Sequence, residues 1–182
     1  MTTLYLLRHG ETEENVKHIL QGCMPGTLTE KGREQAKEAA LSLKDVNFDV
    51  VLSSDLKRAV DTMEIVLEEL KAHGNVPSIL QTKLLRERDW GSATGMVVDG
   101  VHKIVIPNDA ESVKTMKHRS RIFLDFVRKT YPNKTVLAVS HGLMCRCIQA
   151  VHRNVEIQDV EKMVNAEIRI LQLDWWAKEK TI

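Results

Sequence analysis

Residues 4–7, Leu4-Tyr5-Leu6-Leu7, form an apolar run that turns at once to charge in Arg8-His9-Gly10-Glu11-Thr12-Glu13-Glu14-Asn15. A short apolar run closed by a glycine turn predicts a buried strand. Arg8 and His9 then sit where that strand leaves its sheet. In open α/β sheets, ligands bind outside the carboxyl ends of the strands. A guanidinium forks onto the oxygens of an oxyanion, and a neutral imidazole is a nucleophile. The pair therefore points to an anionic ligand.

The pattern recurs along the chain. Residues 48–52 predict a second strand, followed by Ser53-Ser54-Asp55, three residues able to cap a helix. Leu56, Ala59, Val60, Met63, Leu67 and Leu70 make the apolar stripe of that helix. Arg58 lies in its first turn, off the stripe, at the same sheet edge as His9 if the two strands run parallel. Residues 79–85 predict a third extended segment, interrupted by Gln81, Thr82 and Lys83 and followed by Arg86-Glu87-Arg88-Asp89. Residues 135–139 predict a strand that is β-branched and apolar. It runs into Ser140-His141-Gly142 and an apolar helix over 143–151. A helix N-terminus at that point offers free amides and a positive dipole end to an anion.

Between these blocks, residues 16–27 read as a loop holding Gly22, Pro25 and Gly26, with Thr29 set to cap a helix whose face is Ala36, Ala39, Ala40 and Leu43. Residues 91–110 read as an irregular flap. A long helix then runs to about residue 129, with Val113, Met116, Phe123, Phe126 and Val127 as its apolar face. Residues 157–160 predict one helical turn, and an alternating strand begins at Asn165. Trp175-Trp176 are assigned to the core.

Composition narrows the function classes. At 182 residues the chain fits a single domain over 1–182 with room for a sizeable core. The 26 Lys and Arg against 25 Asp and Glu leave a net charge of +1, so no global field points to nucleic acid or a membrane surface. No apolar run reaches the ~18 residues of a membrane span. The chain enters its first strand directly, with no secretory signal, and Cys23, Cys145 and Cys147 are an odd set without framework spacing. Both features imply a reducing cytoplasm. With no zinc-type cluster around them, Cys145 and Cys147 read as core residues.

Taken together, the motifs resemble those of the histidine phosphatase superfamily, the phosphoglycerate mutase-like family. The resemblance rests on Arg-His-Gly-x-Thr-x-x-Asn at residues 8–15, on Ser54, Leu56, Arg58, Ala59 and Thr62, on the element around Glu87, on Glu111-Ser112, on Ser-His-Gly at 140–142 and on Asn-Ala-x-Ile at 165–168. It covers the chain from Leu4 to about Leu173. It implies an α/β three-layer sandwich: a mostly parallel central sheet, helices on both faces and one antiparallel edge strand. Departures fall in the flap and in the loop before Leu28, where Pro25, Gly26 and Thr27 replace the acidic residue and proline of many relatives.

The resemblance also implies a mechanism. His9 is the nucleophile, phosphorylated during turnover, with a backbone carbonyl fixing its tautomer. Arg8, Arg58 and His141 neutralise the phosphoryl oxygens, and Asn15, Gln21, Gly22 and Gly142 complete the phosphate and substrate contacts. Glu87 is the proton donor to the leaving alkoxide, with Asp89 the alternative carboxylate. No metal and no cofactor are implied. The substrate is a small phosphorylated molecule and phosphate is the product, giving a metal-independent phosphomonoesterase. The alternatives are a phosphoglycerate mutase primed by bisphosphoglycerate, which the short flap disfavours, a non-catalytic phospholigand-binding module, and a protein phosphohistidine phosphatase. Arg86, Arg88, His102 and Lys103 read as solvated surface charge, with a place at the pocket mouth the competing reading.

Overall fold

The computed structural model describes residues 1–98 and 105–174. Strands apolar on both faces need cover on both sides, and the sheet supplies the arrangement. Its five strands are β1 (Thr2–Arg8), β2 (Val50–Ser53), β3 (Ser78–Gln81), β4 (Thr135–Ser140) and β5 (Ile168–Leu173), in the order β3-β2-β4-β1-β5. Four of them are parallel, and β5 runs antiparallel to β1 at one edge. Helices α1 (Glu13–Val16), α2 (Glu30–Ser42), α3 (Lys57–Ala72), α4 (Val113–Thr130) and α5 (Gly142–Arg153) complete the fold.

Alternation along the strands splits the core in two. Leu4, Leu6, Val50, Leu52, Val136 and Ala138 meet Met116 and Phe123 of α4 and Cys145, Cys147 and Ile148 of α5. Leu7, Val51, Leu137 and Val139 point the other way, onto Ala39 and Ala40 of α2 and Ala59, Met63 and Leu70 of α3. This is the expected three-layer sandwich, and Cys145 and Cys147 are core residues. Among the described residues no helix is long and apolar enough to cross a membrane.

Several local expectations change. The second strand is Val50–Ser53 rather than 48–52, and Phe48 packs edge-on to Tyr5 with ring centroids 5.2 Å apart. The third strand is Ser78–Gln81 rather than 79–85. It is an exposed edge, and the Thr82 hydroxyl accepts the Leu84 amide at 3.2 Å to start a 3₁₀ turn over Lys83–Leu85. Helix α3 has the apolar Leu56 as its N-cap, without a side-chain cap bond, while Ser54 bonds His141 and Asp55 pairs with Arg86. Val113 at the start of α4 is exposed, and Val60 is half-buried. The last strand begins at Ile168, since Ala166 adopts a left-handed φ of 56° and turns the chain first. Thr29 caps α2 through the Gly32 amide at 2.9 Å, as expected. His102, Lys103 and Trp175-Trp176 lie outside the described residues.

Strand register gathers one edge. Arg8 is opposite Ser140, Ser53 is opposite Val139, and Ser53 is also opposite Gln81. The residues that follow four parallel strands therefore emerge side by side. Gly10 and Gly32 bring the loop after β1 onto the first turn of α2: a Cβ on Gly32 would lie 2.0 Å from the Glu11 carbonyl oxygen. In an exposed helix, glycine to alanine gains about 1 kcal/mol. At Gly32 the clash is with backbone, and overpacking of this kind costs about 1–3 kcal/mol. Gly32→Ala is expected to lower the urea midpoint with an unchanged m-value, and a raised midpoint would show that the two loops do not need this approach.

Candidate active site

A cavity of about 440 Å³ opens at this edge. Arg8, His9, Asn15, Gln21, Gly22, Arg58, Glu87 and Gly142 line it. His141 sits beside it, fully buried, its ring centroid 5.2 Å from that of His9. All nine residues singled out in the sequence thus come together.

The His9 ring is tied at both nitrogens. Nδ1 is 2.7 Å from the Gly10 carbonyl oxygen, which can only accept, so Nδ1 carries the proton. Nε2 then holds a lone pair and accepts from Arg58 Nε at 3.3 Å. Burial holds the ring's pKa well below its usual value, and the Arg58 and Arg8 charges push the same way. The ring is therefore a neutral base with its lone pair facing a guanidinium.

Arg58 is 1% exposed. The loop after α1 wraps it with carbonyls: Nη2 donates to Gly22 at 2.8 Å and Nη1 to Met24. Burial draws its pKa down to about 10, while Glu87 and Glu14 oppose the shift. Gly26, at φ 71°, is required here, because a Cβ would lie 2.8 Å from Arg58 Cδ. Arg8 donates through Nη1 to the Met163 carbonyl at 2.6 Å, and its buried Nε has no protein partner. Its guanidinium lies over Gly142, where a Cβ would come within 3.4 Å of Cζ.

His141 Nε2 is 2.8 Å from Ser54 Oγ, and its Nδ1 is buried without a protein partner. Burial lowers its pKa strongly, with Arg58 and His9 adding to the effect. Glu87 Oε2 accepts the Leu143 amide at the start of α5 at 3.1 Å, and Oε1 accepts the Arg88 amide at 2.8 Å. Asp89 does not line the cavity; its carboxylate caps the Gly91 amide at 2.9 Å. Asn15 Oδ1 accepts from Thr12 N and Asn165 Nδ2, which leaves Nδ2 as its donor. Gln21 donates to Thr12 Oγ1 at 2.9 Å, and its Oε1 is unpartnered.

Of the four candidate mouth cations, Arg86 and Arg88 are among the described residues, and both have partners elsewhere. Arg86 is taken by Asp55 in a two-bond fork, both at 2.6 Å, and Arg88 stacks on Trp90 with Cζ 4.5 Å from the ring centre. Neither lines the cavity. Arg146, Lys162, Met163, Trp90, Leu143, Ile19 and Leu20 do. Arg146 follows Gly142 by one helical turn, a spacing that would have placed it on this face. Lys162 carries no comparable sequence signal. Among the described residues the cavity is cationic: Arg8, Arg58, Arg146 and Lys162 face a single carboxylate, Glu87. No cluster of metal-ligating side chains occurs among the described residues.

Two buried neutral histidines have a consequence for stability. As pH falls below about 6.5 the unfolded chain takes up protons that the folded site refuses, so stability is present above that pH and is lost on acidification. His141→Asn is expected to reduce the slope of unfolding free energy between pH 6.5 and 5, by up to about 1.4 kcal/mol per pH unit. Urea titrations at several pH values measure it, and an unchanged slope would mean that His141 is protonated in the folded protein.

Comparison with known proteins places the fold and the family. The family model for the histidine phosphatase superfamily (branch 1) matches residues 4–182. An uncharacterized phosphatase, PhoE, of Bacillus subtilis is 34% identical over 193 aligned positions, covering 100% of this chain and 95% of that protein. A 2,3-bisphosphoglycerate-dependent phosphoglycerate mutase of Parvibaculum lavamentivorans is 33% identical, covering 80% of this chain and 77% of its own. The solved structure of Bacillus stearothermophilus YhfR superposes with a TM-score of 0.86 at 27% identity, over 96% of this chain and 92% of that one. A family model matched from residue 4 to residue 182, with a relative 34% identical over the full chain, makes the chain a member of the histidine phosphatase superfamily, branch 1.

Proposed function

We propose that the protein is a phosphomonoesterase that works through a phosphohistidine on His9, without a metal ion, on small phosphorylated molecules. The observation that carries the reading is the state of His9: a neutral ring, tautomer tied to Gly10, with its Nε2 lone pair held by Arg58 at a cationic cavity. A phosphate dianion in this cavity meets Arg8 and Arg58 on either side of the nucleophile. The Asn15 amide and the unpartnered His141 Nδ1 add neutral donors. The Ser54 hydroxyl already accepts the Leu56 amide at 3.3 Å and has its own proton to give to His141 Nε2. That arrangement keeps the ring proton on Nδ1.

His9 Nε2 attacks phosphorus in line, the N–P bond forms and the ester P–O bond breaks. As the lone pair is consumed, the Arg58 Nε–H is released from Nε2 and turns to a phosphoryl oxygen. Glu87, at the α5 N-terminus, takes up a proton as the phosphate dianion settles beside it and gives that proton to the leaving alkoxide. Its carboxylate then takes a proton from the incoming water, whose oxygen attacks phosphorus. The N–P bond breaks, phosphate leaves and the Nε2 lone pair returns. Charge spread over the phosphoryl oxygens is met by fixed guanidiniums, the electrostatic work otherwise assigned to metal ions.

Three measurements test this. Steady hydrolysis of p-nitrophenyl phosphate should survive EDTA and vanish in His9→Ala; full activity in that variant would remove His9 as the nucleophile. Glu87→Gln should lower kcat/KM about 10²-fold or more on alkyl phosphates and far less on p-nitrophenyl phosphate, because only the poor leaving group needs the proton. An equal loss on both would remove Glu87 from the acid role. Phosphate release from phosphorylated metabolites is the expected product readout, and phosphoglycerate isomerisation without release would assign the mutase reaction instead.

A further inference from the structure

The carboxylate assigned above as proton donor stands on a segment with no ladder of its own. Residues 86–90 form no helix or strand, so their carbonyls need donors from outside. One side chain supplies two of them, those of Arg86 and Glu87. Arg119, in the middle of α4, donates through Nη1 to the carbonyls of Leu84 at 3.0 Å and Arg86 at 2.6 Å, and through Nη2 to that of Glu87 at 3.4 Å. Its remaining donors fork onto Glu111, Nε to Oε1 at 3.1 Å and Nη2 to Oε2 at 2.8 Å.

Glu111 closes the arrangement from the far side. Its amide donates to the Asp89 carbonyl at 2.8 Å, its Oε2 accepts the Asp89 amide at 3.4 Å, and its carbonyl accepts Arg88 Nε at 2.7 Å. The segment is thus held on both flanks of Glu87 by one ion pair. Both partners are mostly buried, with side chains 16% and 13% exposed. Neither lines the cavity that holds His9; both line a neighbouring hollow that shares Glu87.

We propose that the Arg119–Glu111 pair is the positioning device for the proton donor. It sets the height of Glu87 against the α5 N-terminus and has no part in binding phosphate or activating His9. The assignment rests on the reading of Glu87 given above. A donor displaced by ~1 Å loses much of its catalytic effect, while His9, Arg8 and Arg58, fixed by other strands and loops, stay in place. Arg119→Lys keeps the charge and loses the fork. Glu111→Gln keeps the shape and loses the ion pair.

The test compares wild type, Arg119→Lys and Glu111→Gln on p-nitrophenyl phosphate and on an alkyl phosphate, reading kcat/KM, which reports the phosphorylation step. Each variant should lose about tenfold or more on the alkyl ester and less than about threefold on the aryl ester. Combined with Glu87→Gln, neither should cause further loss on the alkyl ester. Equal losses on both esters, additive losses in the double variants, or no loss on either ester would overturn the proposal. If Arg119→Lys does not fold by circular dichroism, Glu111→Gln alone decides. If Glu87→Gln itself shows no leaving-group dependence, it is the donor assignment that has failed, and the two failures are distinguishable.

Discussion

The parallel pairing of β1 with β4, with Arg8 opposite Ser140, is the constraint on which the site depends. It makes His9 and His141 neighbours although 132 positions separate them in the chain. A register slip of one residue would turn Leu6 and Leu7 onto the wrong faces and aim Arg8 away from Met163. The two core clusters resist that slip, since each strand residue is matched to a different layer of helices. Because parallel strands need crossover connections, the groups meeting at their carboxyl edge come from distant parts of the chain.

What the strands bring together, loops make cationic. Burying a guanidinium is costly unless its donors are satisfied. Arg58 meets that condition with carbonyls from the loop around Gly22 and Met24, and the loop needs left-handed glycines to make the wrap. The local departure at Pro25-Gly26-Thr27 therefore has a structural reason at Gly26, beneath the Arg58 stem. The outcome is a positive field around two neutral imidazoles, His9 and His141, present before any anion arrives.

The layout was legible where local chemistry and packing agree. The strand at residues 4–7, the capped helix from Thr29 and the Ser-His-Gly turn carry their signals in adjacent residues. Misreadings cluster where a side chain has a distant partner. Ser54 and Asp55 look like helix caps, yet Ser54 bonds His141 and Asp55 holds Arg86. Residues 83–85 look extended, yet the short edge strand gives them no second neighbour and Thr82 turns them into a 3₁₀ helix. Arg86 and Arg88 look free at the cavity mouth, yet a carboxylate and an indole ring occupy them, and the cations that do line it are Arg146 and Lys162.

By itself the sequence determined the strands, the helices that cover them and the residues able to handle a phosphate, because periodicity and turn chemistry are written in neighbours along the chain. Only the tertiary structure decided which carboxylate faces the cavity, which arginines remain there and what holds the Glu87 segment in place. Those outcomes depend on burial and on hydrogen-bond partners far away in sequence. Glu87 and Asp89 are two residues apart and chemically alike, and it is the backbone path set by Arg119 and Glu111 that sends one inward and the other out.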